Sequence, residues 1–291
     1  MFKTNNMKKT LVFALILSSA TLLAQDLTSK KGEKILPESG DWSIGIDGSP
    51  FLNYTGNLFN GNTSNTTPGV NFLTDNNSII GKWFKEEKTA YRVGIRLGFG
   101  NSKKNGLPEQ DNYSGDPPAP LVTDVMKMTY SRIALIAGME KRKGNTRLQG
   151  YYGAEAGISL GSDKTSYTYG NSFSDTNTDP TIWDFGNDEA IASGGSRITE
   201  IKSGMGFGLG IRGFIGAEYF VLPKISIGGE FGWGIVLQTQ GEGTSTVEYW
   251  DGTKAATTEL KRGKSSAFGL DVDNNNSVFG PAATLRINLH F

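Results

Sequence analysis

From residue 41 onward, the chain alternates apolar and small or charged residues with a period of two. In the clearest stretch, 90–100, Tyr91, Val93, Ile95, Leu97 and Phe99 fall on one face. Arg92, Gly94, Arg96, Gly98 and Gly100 fall on the other. A helix would mix these sets around its circumference, whereas a strand separates them. Residues 206–220 repeat the pattern, with Phe207, Leu209, Ile211, Ile215, Ala217 and Tyr219 opposed to Gly208, Gly210, Arg212, Gly216 and Glu218. Over 224–237, Ile225, Ile227, Phe231, Trp233, Ile235 and Leu237 oppose Ser226, Gly228, Glu230, Gly232 and Gly234. The last segment, 277–291, sets Phe279, Ala283, Leu285, Ile287, Leu289 and Phe291 against Thr284, Arg286, Asn288 and His290. Weaker alternation predicts strands at 41–49, 78–85, 125–140 and 146–160, the last placing Glu155 with the polar set. The total is eight strands.

The connections sort by length. Those at 86–89, 141–145 and 222–224 are short; those near 50–76, 101–124, 161–198 and 239–276 are long and polar. Short turns on one side and long loops on the other predict an all-β, antiparallel, up-and-down transmembrane barrel with periplasmic turns and extracellular loops. Within the last loop, Asp251-Gly252 between 244–250 and 253–260 predicts a hairpin that extends the wall beyond the membrane. A ten-stranded barrel is the alternative, but Glu248, Lys254 and Glu259 make a poor lipid face.

The N-terminus reads as an export signal over 1–24: Lys3, Lys8 and Lys9, then the apolar run Leu11 to Leu17, then Ala24 as the cleavage position. That run is too short for a membrane helix, so any membrane crossing is made by strands. Residues 25–40 are expected to form a periplasmic tail, and 41–291 the barrel.

Composition then narrows the chemistry. Lysine plus arginine and aspartate plus glutamate are both 29, which disfavours nucleic acid as a partner. Removing 1–24 takes away three lysines and no acid, leaving a net −3. With no cysteine, thiolate nucleophiles and cysteine metal sites are excluded, and a lone histidine disfavours a histidine metal cluster and most triads. No cofactor or metal is implied. The hydrophobic content of 37% is low for a soluble core, but a membrane barrel needs only one apolar face per strand.

In such a barrel the apolar face meets lipid, and Trp42, Trp83, Tyr91 and Tyr219 near strand ends are the expected interfacial aromatics. Arg92, Arg96, Arg212 and Arg286 then share the lumen with Glu155, Glu218 and Glu230. Glu155 and Glu230 could be an acid/base pair, but a paired charge network filling a narrow lumen is the better reading, since unpaired buried ions are costly. Gly208 to Gly213 matches G-x-G-x-x-G, yet those glycines sit inside a strand rather than before a helix. Asp271 to Asn276 resembles the start of a calcium loop but lacks its glycine, with Ala282 at the twelfth position. The acidic runs at 178–180 and 184–189 read as solvated loop, and His290 as an inward-facing imidazole without a nucleophile beside it. Phe51, Tyr54 and Phe59 in the first long loop, Trp183 and Phe185 in the third, and Trp250 in the fourth form a candidate binding surface.

The C-terminal run Leu285-Arg286-Ile287-Asn288-Leu289-His290-Phe291 resembles the insertion signal of bacterial outer-membrane barrels. Over 41–291 the chain resembles the small eight-stranded barrel family that includes the barrel domain of outer-membrane protein A. Its Asn- and Gly-rich loops resemble those of the Bacteroidetes branch. The resemblance implies that Leu285, Ile287, Leu289 and Phe291 are read by the outer-membrane insertion machinery, and that outer-membrane lipid surrounds the barrel. No wall-binding domain follows, so wall tethering is not implied. The expected function is a non-enzymatic structural or partner-binding component of the envelope, or a subunit of an outer-membrane complex, with other envelope proteins as the expected partners. The alternatives are a narrow channel for ions or small solutes and, third, an outer-membrane enzyme.

Overall fold

The computed structural model describes residues 27–48, 78–271, 278–280 and 282–291. These form fourteen strands: β1 (Trp42–Asp47), β2 (Ser78–Glu86), β3 (Thr89–Gly106), β4 (Asp124–Lys143), β5 (Leu148–Thr168), β6 (Thr181–Asp184), β7 (Glu189–Ala192), β8 (Ser196–Lys202), β9 (Gly206–Leu222), β10 (Ile225–Gln240), β11 (Gly243–Trp250), β12 (Ala255–Arg262), β13 (Ser265–Asp271) and β14 (Ala283–His290). β1, β2, β3, β4, β5, β9, β10 and β14 pair antiparallel in that order, and β14 returns to β1. The fold is therefore an eight-stranded antiparallel barrel. The seam closes where Trp42 and Phe291 exchange backbone hydrogen bonds of 3.1 and 2.8 Å.

The ten-stranded alternative fails on pairing. β11 bonds to β12 and β8, and neither β11 nor β12 enters the ring. Instead, the wall continues past the ring on one side: β8 pairs with the end of β5 at Lys164–Ser166, and β11 and β12 follow. β13 adds to the upper half of β10 at Gly234–Gln240. The predicted hairpin at Asp251-Gly252 is present, with Gly252 at φ 99°, a value that favours glycine. β6 and β7 form a separate hairpin. Much of what reads as long loop is thus strand, collected at one end as a head.

The barrel's polarity is inverted relative to a water-soluble one. Val93 and Ile211 are 62% and 61% exposed on the outer surface, while Arg92 and Glu230 are 2% and 4% exposed inside. Such a continuous apolar exterior is unfavourable in water. The alternation dictates this sorting, because each strand sends successive side chains to opposite faces. β2, whose parity is ambiguous in the sequence, points Ile79 and Trp83 outward and buries Ile80 and Phe84.

One predicted strand is corrected. The last strand begins at Ala283 rather than 277, and Phe279 does not lie on the apolar exterior. Gly280 takes φ 81°, which breaks the strand parity, and Val278 and Phe279 fold into the lumen with 0% and 5% exposure. There they cluster with Ile136 and Val236. The backbone of this tongue is held by Gly232 N donating to Ala282 O at 2.8 Å. Glycines make room for it: a Cβ on Gly208 would lie 2.8 Å from Val278 Cγ2, and one on Gly210 2.6 Å from Phe279 Cε2. Gly208 to Gly210 thus serve packing inside β9, and no helix opens from them.

Candidate functional site

The lumen holds a two-part ion network. In one part, Arg92 forks onto Glu230, Nη1 to Oε2 at 2.8 Å and Nη2 to Oε1 at 3.2 Å. Arg212 bridges Glu230 and Glu155, at 2.5 and 2.9 Å. Arg286 donates to Ser78 Oγ at 3.2 Å. The Arg96 guanidinium lies close to Gly280, 3.2 Å from where its Cβ would stand. In the other part, Arg142 donates to Glu140 at 2.9 Å, to Glu218 at 2.5 Å and to Gln149 at 2.8 Å. Lys82 meets Glu140 at 3.0 Å. Ser226, Asn288 and His290 all bond to Glu218 as well.

All seven predicted lumen residues are buried inward, so the structure brings them together. It also adds Lys82, Glu140 and Arg142, which the sequence reading missed. Their signal was parity: Lys82 alternates with Trp83, and Glu140 and Arg142 continue the polar set past Met139 to a strand end at Lys143. With them, the described lumen holds six cations, Lys82, Arg92, Arg96, Arg142, Arg212 and Arg286, against Glu140, Glu155, Glu218 and Glu230. Glu155 and Glu230 share Arg212, an arrangement that suits structural pairing rather than acid/base exchange.

Aromatic rings close the lumen at the short-turn end. Phe84 and Phe220 are fully buried, with the His290 ring 5.7 and 5.1 Å from theirs. Above the ion network, the Val278–Phe279 tongue fills the remaining width. From Phe84 to Phe279 the described lumen is occupied by side chains. Beyond the tongue lies a polar recess of about 430 Å³ lined by Arg132, Ser159, Asp163, Gln238 and Gln240.

On the outer surface Trp42, Trp83 and Tyr91 form one aromatic cluster, with centroid separations of 6.2 and 5.8 Å. Tyr219 pairs with Leu148 and Ile227, on the same face of the sheet as the outward apolar residues. In the C-terminal run, Leu289 and Phe291 are exposed outward, at 45% and 65%.

The head is built around three buried polar residues. Asp124 accepts from Gly170 N at 2.7 Å and Trp183 N at 2.8 Å. Asn171 accepts from Asp111 N at 2.9 Å and donates to Glu109 O and Thr181 O. Arg197 bonds Glu248 at 2.8 Å and Asn171 O at 2.6 Å. Together they tie the β3–β4 loop, the β5–β6 loop and the β6–β7 hairpin into one body. A cavity of about 630 Å³ opens among them, lined by Met126, Tyr167, Tyr169, Trp183, Phe185 and Arg197. Burial raises the Tyr169 hydroxyl above its ordinary value.

The candidate loop surface is therefore split. Trp183 and Phe185 line this cavity; Trp250 sits at the end of β11 and does not line it. Phe51, Tyr54 and Phe59 lie outside the described residues, as do 272–276 of the calcium-like run. The acidic runs are spent on turns: Asp179 accepts from Ser193 and Gly195, and Asp184 from Gly186 and Asn187. Among the described residues no group of three or more His, Asp or Glu could hold a metal ion.

No family model matches the chain. No curated protein matches it either. Among solved structures, the outer membrane protein OprG from Pseudomonas aeruginosa is similar over 88% of this chain and 98% of its own, at 9% identity and a TM-score of 0.29. Acinetobacter baumannii CarO2 is similar over 88% and 99%, at 8% identity and a TM-score of 0.28. The barrel assignment rests on the pairing of the chain's own strands.

Proposed function

We propose that the chain is exported by its 1–24 signal and spans the outer membrane as a closed, non-enzymatic barrel. Its extracellular head is the working end, a structural or partner-binding surface of the envelope. In this reading Trp42, Trp83, Tyr91 and Tyr219 mark the periplasmic lipid interface, and the strand ending at Phe291 is read by the insertion machinery. The observation that carries the proposal is the contrast between the two ends. The lumen is filled from Phe84 to Phe279, while the head is a separately tied body with its own cavity.

A channel reading is favoured only by the polar recess at the loop end, and conduction would require Val278 and Phe279 to leave the lumen. The test is planar-bilayer recording of purified, refolded protein. Wild type is expected to show no unitary conductance. Steady unitary events that change with Arg92→Ala would overturn the closed-barrel reading and install the channel in its place.

A further inference from the structure

The head carries an unusual charge distribution. Residues 107–124 and 169–196 contain nine acidic residues and no lysine or arginine. The Asp111, Asp124 and Asn171 hydrogen bonds hold these two segments together in space. The cavity opens at their junction, and its wall is part of a ladder of stacked groups that runs on to Phe173 behind it. Phe173 lies 4.8 Å from the Arg197 guanidinium carbon, which lies 4.4 Å from the Tyr169 ring. Tyr169 is stacked with Tyr167 at 6.2 Å, and Tyr167 meets Phe185 at 6.1 Å.

One half of this ladder already holds a cation on its ring faces. Arg197 sits between Phe173 and Tyr169, with its charge answered by Glu248 at 2.8 Å. The other half, Tyr167 with Phe185, has rings and a carboxylate but no cation of its own. Asp184 lies beside them, and the hydrogen bonds it accepts come from the neutral Gly186 N and Asn187 amide, both at 2.8 Å. No salt bridge to Asp184, Asp188 or Glu189 forms among the described residues. Those three carboxylates add to a field that the single, paired Arg197 does not cancel.

We propose that the head cavity binds a small organic cation, an alkylammonium group carried on an apolar body. Its charge rests against the faces of Tyr167 and Phe185 and beside Asp184. Ring faces attract cations through the aromatic quadrupole, and a neighbouring carboxylate supplies the counter-charge. Burial and the Asp184 charge together hold the Tyr167 hydroxyl above its ordinary value, so the carboxylate's field reaches that ring. Trp183 is fixed by Asp124 through its backbone and by Asp188 through its indole, at 2.8 and 3.2 Å, which gives the cavity a rigid wall. The inference rests on the head being the binding end and adds the chemistry of the ligand.

The test uses the full-length protein refolded in micelles and titrated calorimetrically with choline. A parallel titration uses choline's neutral isostere, in which a quaternary carbon replaces the nitrogen. Choline is expected to bind saturably, and the isostere to bind about tenfold more weakly or not at all, the loss of a cation–π partner being worth that much. Tyr167→Leu and Phe185→Leu should each weaken choline about tenfold. Tyr167→Phe keeps the ring and should restore the affinity that Tyr167→Leu loses, and protease resistance within 181–192 equal to wild type shows that the head of each variant still folds. Asp184→Asn should weaken binding and flatten its salt dependence. Equal affinity for choline and the isostere, absence of choline binding, or full affinity in Tyr167→Leu would each overturn the proposal. None of these outcomes bears on the bilayer recordings, so the closed-barrel reading stands or falls separately.

Discussion

Glu230 shows at the scale of one residue how this lumen is held. Its carboxylate takes two hydrogen bonds from Arg92 and one from Arg212, in a space where none of the three groups meets water. Removing it leaves two buried guanidiniums short of a counter-charge. Breaking one side of such a pair costs far more than the pair contributes relative to apolar residues. Glu230→Gln is therefore expected to destabilise the folded barrel by about 3–5 kcal/mol, read as a lower urea midpoint in micelles. The comparison is Asp163→Asn: its partner Arg132 is 3.2 Å away, but both side chains are well exposed, Asp163 at 50% and Arg132 at 38%. That substitution should cost under about 1 kcal/mol. Equal effects from the two would mean that the lumen is hydrated enough to screen its charges, contrary to its packing.

At the scale of elements, the head and the barrel are separable bodies. Gly106, at the end of β3, lies under Trp183 so closely that a Cβ would stand 2.0 Å from the indole Cγ. Gly106→Ala should unseat the β6–β7 hairpin, raising protease cleavage within 181–192 while leaving the barrel's mobility on unboiled gels unchanged. Acid should act on the same body. Backbone N–H groups hold Asp179, Asp184 and Asp251 below the ordinary aspartate value of 3.8. The donors come mainly from Gly195, Gly186 and Lys254 respectively. A carboxylate with a depressed folded value stabilises the fold above its unfolded value, and that contribution is lost as pH falls through the folded one. Protease resistance of the head should thus hold at neutral pH and decline only below about pH 4, before the barrel itself unfolds. The same separation explains which parts were legible in the sequence. Strands facing opposite environments, such as 90–100 and 206–220, announce themselves by alternation. β11 and β12 are legible only through the Asp251-Gly252 turn between them, because their threonines and charged residues blur the alternation, and β8 carries no such turn signal. Phe279 was misassigned because parity is a local rule, and Gly280 breaks it. Arg142 was hidden because Lys141-Arg142-Lys143 before Gly144 reads as a turn, although only Arg142 of the three points inward. The cavity-lining tyrosines 167 and 169 carry no spacing signal, since what assembles them is a set of loop hydrogen bonds from Asp124 and Asn171.

For the whole molecule, the ring is uneven. β4 and β5 pair over nineteen residues, from Val125 to Lys143, whereas β1 and β14 pair over five, Ser43 to Asp47. A barrel has no free edge, so opening it requires parting one pair of neighbours along its whole length. β1 is the weakest point among the described residues, paired over five residues with β14 and over four, Trp42–Gly45, with β2, so the two junctions of β1 are the expected first sites of opening. Backbone amides of Ser43–Asp47 should exchange with deuterium faster than those of Leu135–Met139, and uniform exchange would argue against a preferred seam. The absence of cysteine allows a direct test, because an introduced pair meets no competing thiols. Ile44 and Leu289 face each other across the seam, two residues in from the hydrogen-bonded Trp42–Phe291 pair. Opposed residues of that type have Cα atoms about 5.5 Å apart, within the range a disulfide spans. Ile44→Cys with Leu289→Cys should oxidise within one chain and join nearly the full length of the barrel into a loop. On the chain-entropy account a loop of that length stabilises by about 5.5 kcal/mol, so the oxidised form should keep its folded gel mobility to a higher temperature than the reduced form. If oxidation leaves that temperature unchanged, the first opening lies elsewhere in the ring.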